Sequence, residues 1–206
     1  NVGAGLPVIG TIRTLLETGD EIKEIHGVFS GTMSYLFNRF DGQIPFSALV
    51  QEARELGYTE PDPRDDLSGM DVARKLLILA REIGMQIGLD DVVVENLTPE
   101  SCRSAMSVEE FLGCLSKFDE AFAKRLEAAK QEGNVLRYIG RIKDRVLTVS
   151  LEAVGMSDPC FGLTGPDNLV AITTRRYNPQ PLVIRGPGAG AEVTAAGVLS
   201  DILRSK

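Results

Sequence analysis

The sequence predicts an α+β domain, a mixed and largely antiparallel sheet with helices packed on one face. Two observations carry that expectation. Up to about Glu132 the apolar residues recur mostly at helical spacing, while beyond it the period changes to two. Within the second part, "VLRYIGRI" and "RVLTVSLEAV" alternate on either side of a short Lys143-Asp144 turn, the pattern of a hairpin. Helices first and sheet later describe an α+β arrangement with antiparallel neighbours.

Taken in order, a glycine-rich opening leads into a helix from Leu6 to Leu16 that stops at Thr18-Gly19, glycine being a common helix terminator. "EIKEIHGVFS" alternates through Ile22 and Ile25 and reads as a strand. It runs into Gly31-Thr32, where Thr32 is expected to cap a helix carrying Met33, Leu36, Phe37 and Phe40. An amphipathic helix from Phe46 to Leu56 ends at Gly57, and a long helix runs from near Asp65 to about Gly84. "DVVVEN" is a short strand. Ser107 to Glu132 reads as two helices, opened by the capping box "SVEE". "NLVAITTRRY" and "PLVIRG" add strands, and a last helix, Glu192 to Leu203, follows "GPGAGA".

Composition excludes several classes. The 206 residues suffice for one substantial core, or for one domain plus an appendage. Net charge is −7 and the 22 basic residues are scattered, so the basic stripe of a nucleic-acid binder is missing. No apolar run reaches the length of a bilayer span. Cys102, Cys114 and Cys160 are odd in number, show no CxxC spacing and have no histidine nearby in sequence. The expectation is reduced thiols in an intracellular, cytoplasmic protein, with neither a zinc site nor a disulfide framework. His26, the single histidine, reads as a structural residue on its strand. The chain opens on Asn1 inside what looks like a motif and shows no signal peptide, which reads as part of a longer protein.

The densest chemistry lies in "GYTEPDPRDDLSGMDVARK", Gly57 to Lys75. Five acids, Glu60, Asp62, Asp65, Asp66 and Asp71, fall on a short turn and the helix after it. Pro61 and Pro63 stiffen that turn. One reading is structural, with Asp65 or Asp66 capping the helix at the favourable end of its dipole. The other is a pocket for something small and cationic. Asp71 and Lys75 are neighbours at i, i+4, either as a solvated ion pair or as an acid/base couple. A calcium loop at "DPRDD" lacks the EF-hand spacing and glycine. "GPGAGA" follows a strand and precedes a helix, but too little chain remains after it for an independent dinucleotide-binding unit.

These residues resemble the homoserine dehydrogenase family, which carries an Ala, then Gly-aromatic-Thr, a Pro-x-x-Asp segment and Leu-x-Gly-x-Asp-x-x-x-Lys. Here the pattern is Ala53, Gly57-Tyr58-Thr59, "DPRDDL", Gly69, Asp71 and Lys75, and "NVGAGLPVI", "GVFSGTMSYLFN", "NVLRYIGRI" and "GPGAGAEVTAAGVL" match further blocks in order. The resemblance covers essentially the whole chain. It implies NAD- or NADP-dependent interconversion of L-homoserine and L-aspartate 4-semialdehyde, in threonine, methionine and isoleucine biosynthesis. It implies Lys75 as proton donor and Asp71 as the residue that tunes it. Glu60 and Asp66 would bind the polar end of the substrate, with Gly31, Thr32 and Tyr58 lining the same pocket. Gly190 would touch the cofactor, and the carbonyls of Val2, Ala4 and Leu6 would hold a sodium ion whose carboxylate ligand lies ahead of Asn1. The family's GxGxxG nucleotide-binding domain and a second active-site lysine would also precede this segment. The chain is then expected to be the substrate-binding and dimerisation part, inactive alone, with residues 1–185 as the catalytic domain and 186–206 as a glycine turn and helix that pack on the nucleotide domain. Its expected assembly is a homodimer formed through the sheet region, in the cytoplasm or, in a plant, a plastid. The rival reading is a non-catalytic dimerisation or regulatory module on the same fold.

Overall fold

The computed structural model describes residues 2–204. One six-stranded sheet, in the order β2-β4-β3-β1-β5-β6, forms the spine. The strands are β1 (Ile22–Val28), β2 (Val93–Val94), β3 (Val135–Lys143), β4 (Val146–Val154), β5 (Asp167–Thr174) and β6 (Leu182–Pro187). Only the short β2 runs parallel to its neighbour, β4, and every other pairing is antiparallel. The hairpin turns at Asp144-Arg145, one residue later than expected, because Lys143 still pairs with Val146. Both turn residues have positive φ, 49° and 64°, the pattern of a two-residue turn whose twist suits the strands.

Helices α1 (Val8–Glu17), α2 (Gly31–Arg39), α3 (Phe46–Glu55), α4 (Pro63–Leu67), α5 (Met70–Glu82), α6 (Val108–Leu115) and α7 (Asp119–Gln131) accompany the sheet, and α8 (Ala191–Arg204) closes the described chain. The main core joins helix residues such as Ile12, Leu36, Phe46 and Leu76 to strand residues Ile25, Tyr138, Ile142 and Val170, all buried. Alternation along each strand sends the other residues to the opposite face. There a small cluster of Val28, Ile139, Leu169 and Ala171 is covered by Cys160 and Leu163 of the β4–β5 connection.

Three local expectations need correcting. The long helix is two: Gly69, at φ 73°, separates α4 from α5. A β-carbon at Gly69 would come 2.0 Å from the Tyr138 hydroxyl, so glycine is required by both backbone and space. That hydroxyl donates to the Glu95 carbonyl at 2.6 Å. The cap of α2 is Ser30, not Thr32, since Ser30 Oγ accepts from the Met33 N–H. The cap of α4 is Asp62, not Asp65 or Asp66, with Pro63 at the first helical position.

The cysteine expectation also fails. Cys102 and Cys114 form a disulfide, because the chain folds back so that their Cα atoms lie 5.6 Å apart. Cys160 is a buried thiol, and folding brings His26 beside it.

Candidate functional site

The site grows from the junction of β1, α2, α4 and α5. The end of β1 delivers the Phe29 carbonyl and Ser30, and α5 sends Lys75 back toward them. Lys75 Nζ donates to Phe29 O at 2.8 Å and pairs with Asp71 at 2.7 Å. Its side chain is only 21% exposed, against 58% for Asp71. The ammonium is therefore drawn inward, while its carboxylate partner reaches the open side.

The stiff turn before α4 is tied to α2 through Asp66. Thr32 Oγ1 lies 2.7 Å from Asp66 Oδ1 and 2.6 Å from the Tyr58 carbonyl, so one hydroxyl proton faces two acceptors. Asp66 Oδ2 accepts from the Glu60 backbone N–H at 2.8 Å. Burial pushes the Asp66 carboxyl above its ordinary value of 3.8, and the nearby Glu60 and Asp65 charges add to that; the Thr32 and Glu60 hydrogen bonds oppose the rise without cancelling it. A carboxylate held in that condition is short of positive charge. Asp62 contrasts with it: hydrogen bonds from the Arg64 guanidinium hold its carboxyl below the usual range. Arg64 also donates to the Ala105 carbonyl at 2.6 Å, anchoring α4 to the loop that the disulfide closes.

A cleft of about 530 Å³ opens here, lined by Ser30, Glu60, Asp65, Asp66, Asp71 and Arg74 among others. The structure thus brings Glu60, Asp66 and Asp71 together, with Lys75 bound to Asp71 at their edge. Thr32 contributes beneath the cleft through Asp66. Gly31 starts α2 with a β-carbon position 3.2 Å from the Pro166 carbonyl, and the Tyr58 ring stacks on Tyr35 with centroids 4.3 Å apart. Both support the wall rather than line the cleft.

Sequence reasoning missed three residues. Ser30 both caps α2 and lines the cleft, and the neighbouring Thr32 masked it. Arg74 lies on the same polar side of α5 as Asp71 and lines the cleft, but no local motif singles it out. Asn168 of β5, 2% exposed, donates to the same Phe29 carbonyl that receives Lys75, at 3.2 Å. Its Oδ1 has no hydrogen-bond partner among the described residues. A β-carbon at Gly188 would lie 2.0 Å from Asn168 Nδ2, so the "GPGAG" loop rests against this amide.

At the opening loop, Gly3 and Ala4 have φ of 72° and 51°, and Leu6 N–H donates back to the Gly3 carbonyl. The Leu6 carbonyl accepts from Val8 N–H, while those of Val2 and Ala4 accept no hydrogen bond among the described residues. Carbonyl oxygens of this kind suit a hard cation such as sodium. Gly190 stands at φ 130° just ahead of α8, and its carbonyl accepts from Thr194 N–H. The exposed glycine loop fits the close approach of a cofactor.

Fold and site together define a class: an α+β domain with an open, carboxylate-lined cleft and a lysine ammonium held at its edge. The chain matches the homoserine dehydrogenase family model over residues 7–203. It belongs to that family. It is 55% identical, over 98% of its length and 22% of the relative's, to the maize chloroplastic bifunctional aspartokinase/homoserine dehydrogenase 2. It is 48% identical to the fission yeast homoserine dehydrogenase, covering 99% of this chain and 56% of that protein. A Candida auris protein of known structure superposes with a TM-score of 0.94 at 44% identity, over 98% of this chain and 58% of that one. The chain therefore spans about a fifth of the maize protein and just over half of the yeast enzyme.

Proposed function

We propose that this chain is the substrate-binding part of a homoserine dehydrogenase, which interconverts L-homoserine and L-aspartate 4-semialdehyde in the biosynthesis of threonine, methionine and isoleucine. The observation that carries the reading is the under-compensated carboxylate pair Glu60 and Asp66 beside an inward-drawn Lys75. Homoserine brings an ammonium, and a stiff anionic cleft selects it over neutral alcohols through charge-assisted hydrogen bonds.

In the reductive direction the reduced cofactor, NADPH or NADH, would supply the hydride and leave as NADP or NAD. Lys75 gives its proton to the oxygen of the aldehyde as that oxygen becomes an alcohol, a role for which a nearby ammonium is suited. Asp71 and Phe29 O fix the ammonium between them. Asn168, by holding Phe29 O, is a positioning residue for Lys75 and joins it to the glycine loop where Gly190 would meet the cofactor. Val2, Ala4 and Leu6 would hold the sodium ion. The apolar side of α8, with Val198, Leu199, Ile202 and Leu203 between 55% and 60% exposed, supports a C-terminal segment 186–206 that packs on a nucleotide-binding domain. The same reading includes a homodimer formed through the sheet region.

Calorimetry with L-homoserine tests this reading against a module that kept only the fold. Binding that disappears in Glu60→Ala or Asp66→Ala is the expected result. An intact dimer that binds no homoserine would favour the non-catalytic alternative. Measurable NADP-dependent homoserine oxidation by the isolated chain would refute its proposed dependence on a further domain.

A further inference from the structure

The sheet face opposite the helices holds a second cluster that the proposed reaction does not use. His26 of β1, Asp158 and Cys160 of the β4–β5 connection each offer a donor atom, all within 4.8 Å of one another. His26 is 7% exposed and Cys160 is fully buried. Neither imidazole nitrogen makes a well-aligned hydrogen bond among the described residues, although Nε2 lies 3.3 Å from Asp158 Oδ2 and Nδ1 lies 3.6 Å from Glu24 Oε1. A buried ring with both nitrogens unsatisfied is costly, and its surroundings show what would satisfy it.

We propose that His26 Nε2, Asp158 Oδ2 and Cys160 Sγ form a binding site for a divalent transition ion of the zinc class. The donor set of one imidazole, one thiolate and one carboxylate suits zinc or cobalt and not magnesium or calcium. Tetrahedral zinc with bonds of about 2.0–2.3 Å holds neighbouring ligand atoms roughly 3.3–3.6 Å apart. The Nε2 to Oδ2 separation already has that value. Asp158 Oδ1 accepts from the Cys160 N–H at 2.7 Å, which leaves Oδ2 for the ion.

The surrounding shell fits as well. A metal-bound histidine usually gives its other N–H to a carboxylate, and Glu24 stands on the Nδ1 side. Lys143, at 3.1 Å, and Arg141 both pair with Glu24. Arg137, 5% exposed, donates only to backbone carbonyls, Cys160 O among them at 3.0 Å. A divalent ion would balance a Cys160 thiolate and the Asp158 carboxylate. In the metal-free chain, burial and the Asp158 charge raise the Cys160 thiol, so binding must release a proton from sulfur.

The test is a cobalt(II) titration of the full chain, stripped with a chelator and kept without reductant so that Cys102 and Cys114 stay paired. The expected result is saturation at one ion per chain with a sulfur-to-cobalt charge-transfer band in the near ultraviolet. That band should vanish in Cys160→Ser and weaken in His26→Gln. No such band in the unmutated chain, or an unchanged band in Cys160→Ser, would overturn the site and leave His26 as a bridge between two carboxylates. Should Cys160→Ser fail to fold, X-ray absorption of the zinc-loaded unmutated chain decides. A shell with one sulfur among nitrogen and oxygen supports the site, and a shell without sulfur overturns it.

Discussion

The chain carries two clusters built from similar residues, and they end in opposite conditions. On the helical side Glu60, Asp66 and Asp71 face an open cleft, and two of them, Glu60 and Asp66, have no cationic partner among the described residues, whereas Asp71 has Lys75. On the opposite face Glu24 meets Arg141 and Lys143, and Arg141 also reaches Glu152 at 2.7 Å. There Glu24 and Glu152 have their cations, and the unsatisfied group is the histidine between Glu24 and Asp158. The difference teaches that acid content alone says little. Which charge is left without a partner, and whether solvent can reach it, decides what each cluster can bind.

Breaking the helical-side cluster at its amine should have the largest effect. Lys75→Met in the full-length enzyme is expected to lower kcat by about 10²–10⁴-fold, the usual worth of a positioned proton donor. Steady-state kinetics should show KM for homoserine moving far less. The next effect is on stability. Gly69→Ala sets a methyl against the Tyr138 hydroxyl at a positive φ, and thermal unfolding should report a loss of about 2–4 kcal/mol.

Asp66→Asn sharpens the comparison, because it removes a charge that burial opposes. Homoserine affinity should fall about 10–100-fold, as for loss of a charge-assisted hydrogen bond. The melting temperature should hold or rise slightly, as expected where function keeps a strained charge. The sign for pH follows from the same shift. A raised carboxyl is protonated at higher pH than an ordinary one, so homoserine binding should weaken on acidification before an unshifted carboxylate would titrate. Calorimetry across pH should show that dependence flatten in Asp66→Asn. The smallest effect belongs to Asp71→Asn. Its side chain is 58% exposed, so stability should change by less than about 1 kcal/mol, with any loss seen in kcat.

Much of this architecture is legible from local patterns. The period change near Glu132, the alternation of β3 and β4 and the i, i+4 spacing of Asp71 and Lys75 are all short-range signals, and each corresponds to an element or contact in the structure. What escaped depends on long-range approach. Tyr138, from a distant strand, leaves no room for a β-carbon at the Gly69 break, and Asn168 reaches the carbonyl that Lys75 binds because β5 pairs with β1. The Cys102–Cys114 bond needs a loop to fold back on α6, and His26 meets Cys160 only across the sheet face. Ser30 rather than Thr32 is the cap because α2 already starts at Gly31, which leaves Thr32 inside the helix with its hydroxyl on Asp66.

The central claim is that Asp66 and Glu60 recognise the positive charge of the substrate's amino group. Titrating the chain with L-homoserine and with N-acetyl-L-homoserine, which lacks that charge, tests it most directly. At least a tenfold preference for homoserine, lost in Asp66→Asn, is the expected result. Equal affinity for the two ligands would contradict it.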